Sequence, residues 1–137
     1  MKVLFDLNIL LDVMQKRESF YTSSAAVLSK SIEGECEGII PGHAVTTLHY
    51  LLTRYVNREK ADEGVDFLLD NFRVINADEE TFRKARQLPM KDFEDAVVAS
   101  IAVKSGCEVI VTRNISDFKN SPVTGLLPEE FLERLAN

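Results

Sequence analysis

Four short apolar runs recur along this chain, and they constrain its fold more than any other feature. Residues 2–5 (KVLF), 38–41 (GIIP), 72–76 (FRVIN) and 108–112 (EVIVT) are rich in β-branched and aromatic residues and largely lack polar alternation. A strand that is apolar at successive positions has both faces covered, as in parallel sheets layered by helices. The intervening segments carry helical spacing. Residues 19–33 put Ala25, Leu28 and Ile32 on one face, with Gly34 as the stop. From His43, the positions Val45, Leu48, Leu51, Leu52 and Tyr55 repeat at helical intervals, and a further helix is predicted from Lys60 to Leu69. Asp78 is a predicted N-cap for a helix to Gln87. The stretch KDFEDAVVAS leads a helix to Ser105 closed by Gly106, and Pro128 opens a last helix after Val123. The alternation predicts an α/β fold: a three-layer α/β/α arrangement around a central parallel sheet of about four to five strands, as one domain over residues 1–137.

Composition narrows the function classes. With 22 acidic against 16 basic residues and a net charge of −6, the chain is not built to grip nucleic acid by electrostatics alone. The same balance suits a protein that presents acids to a metal, where the cation supplies the attraction to phosphate. No apolar run approaches the ~20 residues of a membrane span. The N-terminal MKVLFDLN reads as a first strand rather than a signal peptide. Cys36 and Cys107 stand in no metal-ligand spacing and read as reduced thiols of a cytoplasmic protein. His43 and His49 match no zinc motif; His43 reads as a helix-start residue and His49 as a packed histidine.

Connectivity then gathers the polar residues. Asp6 ends the first strand, and Asn114 follows the strand that ends at Thr112, so both lie at the carboxyl edge of the sheet. The helix starting near Asp92 feeds the strand at 108, runs antiparallel to it, and begins at the same edge. Asp6, Asp92, Glu94, Asp95, Asn114 and Asp117 are therefore expected on one rim, where ligands bind in open α/β sheets. At ~100° per residue, Asp95 shares a stripe with Ala99, Ala102 and Gly106 and should point inward over the strand ends. Glu94 shares its side with Val98 and Ile101, and Asp92 serves as an N-cap or a helper. Asn114 and Asp117 shape a turn or hold a ligand, and Arg113 meets phosphate or forms a surface salt bridge. Several carboxylates in one pocket repel one another unless a cation such as Mg²⁺ or Mn²⁺ is present. Metal-assisted phosphodiester hydrolysis is the chemistry such a rim supports.

Three motifs carry a resemblance. LFDLNILLDV, DFEDAVVASIAVKSG and VIVTRNISDF, in this order over nearly the whole chain, resemble the PIN-domain family of ribonucleases, many of which are VapC-type toxins of toxin–antitoxin pairs. The resemblance implies Mg²⁺ or Mn²⁺, an RNA substrate, an antitoxin partner and a homodimer, with no membrane association. It matches Asp6 to the family's first acid, Asp95 to the acid of its D-A helix start, Asn114 to the Asp-or-Asn position after T-R, and Asp117 to the acid of the D-F pair. Asp6, Asp95 and Asp117 are thereby the expected catalytic acids, Asn114 joins them as a metal ligand, and Asn8 is the polar residue beside the first acid. One departure stands out: where the family usually has a glutamate on the helix after the second strand, this chain has Thr47. Glu94 or Asp92 compensates, Thr47 holds a water, or the site is weakened. The main alternative to a nuclease is a non-catalytic PIN-like module that binds RNA or a protein. An aspartyl-phosphate enzyme or receiver fits poorly, because Asn8 stands where a second Asp is needed and no lysine directly follows Thr112.

Overall fold

Each apolar run becomes a strand of one parallel sheet. The computed structural model describes residues 1–137. In chain order the elements are β1 (Lys2–Phe5), α1 (Leu7–Met14), α2 (Tyr21–Ile32), β2 (Glu37–Pro41), α3 (Gly42–Tyr55), α4 (Arg58–Asn71) and β3 (Arg73–Ile75). They continue with α5 (Glu79–Gln87), α6 (Phe93–Ser105), β4 (Val109–Val111), a 3-10 turn (Ile115–Phe118), β5 (Thr124–Leu126) and α7 (Pro128–Ala136). The five strands lie in the order β3-β2-β1-β4-β5, all parallel. β1 is central: Val3, Leu4 and Phe5 register with Val109, Ile110 and Val111 of β4, while Lys2, Val3 and Leu4 register with Glu37, Gly38 and Ile39 of β2.

Side-chain alternation along these strands builds two cores. Val3, Phe5, Ile40, Val109 and Val111 point into one, which they share with Ile9 and Leu10 of α1, Val27 and Leu28 of α2, Leu48 and Leu52 of α3, Leu68 of α4 and Phe131 of α7. Leu4, Ile39 and Ile110 point to the other face, against Val97, Val98 and Ile101 of α6, Ala85 of α5 and Phe118. Each large aliphatic side chain buried this way contributes about 1.5–3 kcal/mol. The continuous apolar character of the strands thus has its cause in the expected three layers. α6 is buried from Ala96 through Ala102, as its near-absence of polar residues requires, and Gly106 closes it in the left-handed conformation at φ 75°. No helix is long and apolar enough to cross a membrane.

Several boundaries differ from the sequence reading. α1 was not expected, although Leu7, Leu10, Leu11 and Met14 have helical spacing and Asp6 caps it. α2 begins at Tyr21 rather than 19, because the chain reverses after α1, with Lys16 left-handed at φ 49° and the Arg17 amide bonded to the Asp12 carbonyl at 2.9 Å. α4 is longer at both ends than residues 60–69, its start fixed by the Asn57 side chain accepting the Lys60 amide at 2.7 Å. β5 adds a short edge strand after Val123.

Gly38 of β2 sits where the first core leaves no room for a side chain. A Cβ there would overlap Ser31 Oγ and lie 2.6 Å from Phe72 and 2.9 Å from Phe5. Gly38→Ala is therefore expected to cost about 1–3 kcal/mol by overpacking, read as a lower denaturant midpoint at unchanged slope; an unchanged midpoint would contradict this packing.

Candidate functional site

Strand order places Asp6 at the switch point of the sheet. β1 continues to the β2 side through α1 and α2, while its other neighbour is β4, so the edge above the β1 and β4 carboxyl ends is where ligands bind in open α/β sheets. The Asp6 amide donates to the Val111 carbonyl at 3.0 Å, extending the ladder to the rim. Its carboxylate then turns in two directions. Oδ1 accepts the Leu7 amide at 2.9 Å and caps α1, while Oδ2 accepts the Thr112 hydroxyl at 2.9 Å and the Asn8 side-chain amide at 3.3 Å. Thr112 is fully buried, and its oxygen also accepts the Asn114 amide at 3.1 Å. Asn8 returns the link by accepting the Arg113 amide at 3.3 Å. Asp6 is thus held by α1 and by the segment after β4 together, a fixed orientation of the kind a ligand-binding carboxylate needs.

α6 brings the second group of acids. Asp92 is its N-cap, accepting the Asp95 amide at 2.9 Å, so the capping role expected of it is met. Asp95 is half-buried, in line with its place on the inner stripe. Burial, then the charges of Asp92, Asp6, Asp117 and Glu94, push its carboxyl up to about 7. Asp6 is raised too, by burial first and by Asp117 and Glu94 last, against the lowering bonds from Thr112 and Leu7. The charges of Glu94 on α6 and Asp117 in the 3-10 turn thus bear on both Asp6 and Asp95. Asn114 precedes the 3-10 turn and is exposed, as are Asp117 and Glu94. The acids do not close into a cage, since no three His, Cys, Asp or Glu side chains converge tightly enough to enclose an ion.

That donor set fits a hard divalent cation. It offers only carboxylate and amide oxygens, it leaves two carboxyls short of charge compensation, and it is open, in keeping with Mg²⁺, which keeps several waters and takes one or two carboxylates. Thr47 lies half-buried on α3, and no acid of α3 contributes to the field at Asp6 or Asp95. His43 sits in the first turn of α3, as expected. His49 is not packed in a core; its Nε2 lies 2.8 Å from Asp62 of α4 on the surface.

Two residues escaped the sequence reading. Thr112 was seen only as the end of a strand, and Asp12 not at all. Asp12 is fully buried on α1, where Oδ2 accepts the Arg113 Nε at 2.7 Å and the Ser24 hydroxyl at 3.0 Å. Arg17 Nη1 lies 3.5 Å from Oδ1. The Arg113 guanidinium also sits 4.1 Å from the centroid of the Phe20 ring. The salt bridge expected of Arg113 is therefore turned inward rather than lying on the surface, and its side chain is 20% exposed. The signal for Asp12 was an acid one turn after Asn8 amid Leu10, Leu11 and Val13.

The raised Asp95 carboxyl has a consequence for stability. Folded Asp95 binds its proton more tightly than unfolded Asp95, so metal-free stability falls as pH rises from its ordinary 3.8 to about 7, and the whole penalty stands above that. Asn at position 95 carries no such penalty. With chelator present, Asp95→Asn is expected to melt a few degrees above the parent at pH 8 and to lose that advantage at pH 4. Equal melting temperatures at pH 8 would contradict the placement of Asp95 among the other acids.

The family model described as PIN domain matches residues 2–116. Ribonuclease VapC1 of Aquifex aeolicus is 25% identical over 138 residues, an alignment covering 97% of this chain and 94% of that protein. Among solved structures, VapBC2 from Rickettsia felis bound to a promoter DNA fragment is similar at TM-score 0.73 and 18% identity, covering 93% of this chain and 98% of that one. A toxin–antitoxin complex from Klebsiella pneumoniae is similar at TM-score 0.69 and 20% identity, over 92% of this chain and 97% of that one. The structural likenesses speak to the fold alone, while the match over residues 2–116 shows that the chain belongs to the PIN domain family.

Proposed function

We propose that this protein is a divalent-metal-dependent endoribonuclease, acting in the cytoplasm as the toxin of a toxin–antitoxin pair. The observation that carries the reading is the pair Asp6 and Asp95, both raised by burial and by the charges of Glu94 and Asp117, with Asp6 oriented by Thr112 and Asn8 at the β1/β4 switch point. The names of its relatives support the biological setting: one is a ribonuclease, another a toxin–antitoxin complex.

In this proposal Asp6 and Asp95 hold Mg²⁺ or Mn²⁺, with Asn114 and Asp117 offering further oxygens from the segment after β4. When bound, the cation supplies positive charge against the scissile phosphate and acidifies water to a nucleophile usable near neutral pH. The protein's own contribution is orientation. Thr112, Asn8 and the Leu7 amide fix Asp6 before any ligand arrives, so little reorganisation remains for the reaction itself. Asp95 stands in the first turn of a helix buried from Ala96 through Ala102, and Asp92 caps that turn. Glu94 takes the part of the acid absent at Thr47, because its charge already reaches Asp6 and Asp95.

The test is cleavage of structured RNA with Mn²⁺. Asp6→Asn and Asp95→Asn are each expected to lower the rate at least 100-fold, an effect on the order of removing one key electrostatic group, while circular dichroism stays that of the parent. Undiminished cleavage by both variants would sink the proposal. The absent acid at Thr47 favours one rival, a non-catalytic module, which would show no cleavage with either metal and RNA binding indifferent to chelator.

Glu94 and Asp92 are separable. Glu94→Gln is expected to weaken Mn²⁺ binding several-fold with little change in melting. Asp92→Ala should instead cost about 1 kcal/mol of stability through the lost cap. Titration with Mn²⁺ alongside thermal melts distinguishes them, and the reverse pattern would transfer the compensating role to Asp92.

A further inference from the structure

We infer that Asp12 and Arg113 are positioning residues for the rim, a buried pair that holds the segment after β4 in the register Asp6 requires. The inference rests on the nuclease reading above. Asn8 and Asp12 are one turn apart on the same face of α1, and both seize Arg113. Asn8 accepts the Arg113 backbone amide at 3.3 Å, and Asp12 accepts its Nε at 2.7 Å. One residue is thereby fixed at its backbone and at the far end of its side chain by a single helix, the helix that Asp6 itself caps.

The neighbours of Arg113 give the pair its reach. Thr112, on one side, donates the hydroxyl bond to Asp6 at 2.9 Å; Asn114, on the other, donates its amide to the same hydroxyl oxygen at 3.1 Å. Movement of Arg113 would draw Thr112 away from Asp6 and displace Asn114 and the turn bearing Asp117. The surroundings are built to prevent it. Asp12 is fully buried, Ser24 of α2 bonds the carboxylate oxygen that Arg113 uses, and Phe20 covers the guanidinium at 4.1 Å. Asp12 Oδ1 makes no hydrogen bond and has Arg17 at 3.5 Å. A buried charge pair is poor value for stability compared with an apolar pair of equal volume. Its retention beside the rim accords with a demand for orientation. Arg suits this better than Lys, since its planar fork bonds in one direction and stacks on an aromatic ring.

The experiment compares Asp12→Asn, Arg113→Met, the double variant and Arg113→Lys with the parent. It measures Mn²⁺ affinity of the RNA-free protein, then kcat and KM for RNA at saturating Mn²⁺. Asp12→Asn and Arg113→Met are each expected to bind Mn²⁺ about 10- to 100-fold more weakly, the range for groups that orient ligands from behind. Each should lose kcat with KM unchanged, the double variant should be no worse than the worse single, and Arg113→Lys should recover part of the loss. Variants that melt lower while Mn²⁺ affinity and kcat stay at parent values would overturn the inference, because the pair would then be structural only. A rise in KM alone with Arg113→Met would overturn it in favour of a phosphate contact. Should Asp12→Asn fail to fold, Arg113→Lys carries the same comparison. A parent protein that neither binds Mn²⁺ nor cleaves RNA would remove the nuclease reading itself, an outcome distinct from a competent parent with indifferent variants.

Discussion

The parallel pairing of β1 with β4 is the constraint on which the rest of this structure depends. Phe5 registers with Val111, so the next residue of each strand, Asp6 and Thr112, leave the sheet side by side and join through a 2.9 Å hydrogen bond. This happens only because both strands are apolar on both faces and are covered by helices on each side. The two cores hold the strands, the strands fix the register, and the register delivers a carboxylate and a hydroxyl to one point on the rim.

A second force runs against the first. Folding sets Asp6 and Asp95 against the charges of Glu94 and Asp117, in a chain that already carries a net charge of −6. The fold tolerates this through local compensation rather than neutralisation: capping bonds at Asp6 and Asp92, a buried hydroxyl at Thr112, and an open rim where charge faces water. The remaining strain is electrostatic, and the cation of the proposed mechanism would relieve it, linking the repulsion at the rim to the chemistry proposed for it. Close by, Asp12 takes the opposite course: it is wholly buried and matched by Arg113 and Arg17.

Much of this was legible in the sequence, for definite reasons. Strands buried on both faces announce themselves as continuous apolar runs, and the order of strands and helices fixes which ends share an edge, so the residues of the rim follow from the sequence. Helical periodicity separated Asp95 from Asp92, one half-buried among the acids, the other a cap. α1 was missed because the polar Asp6-x-Asn8 that begins it reads as a loop after a strand, although the apolar spacing was present. β5 was not recognised because TGL carries one apolar residue in three. Thr112, Asp12 and the true partner of Arg113 were illegible for another reason. Their roles come from pairing across about a hundred residues of chain, which no local pattern encodes. His49, in turn, was misjudged as packed because its partner, Asp62, is supplied by a neighbouring helix.

The central claim is that the oxygens of Asp6 and Asp95 form one cation site at the β1/β4 switch point. Anomalous diffraction from crystals soaked in Mn²⁺ tests it most directly. A strong anomalous peak is expected between those two carboxylates, with Asn114 or Asp117 turned toward it. A rim without a peak, with Mn²⁺ instead scattered over surface acids such as Glu79 and Glu80, would contradict it.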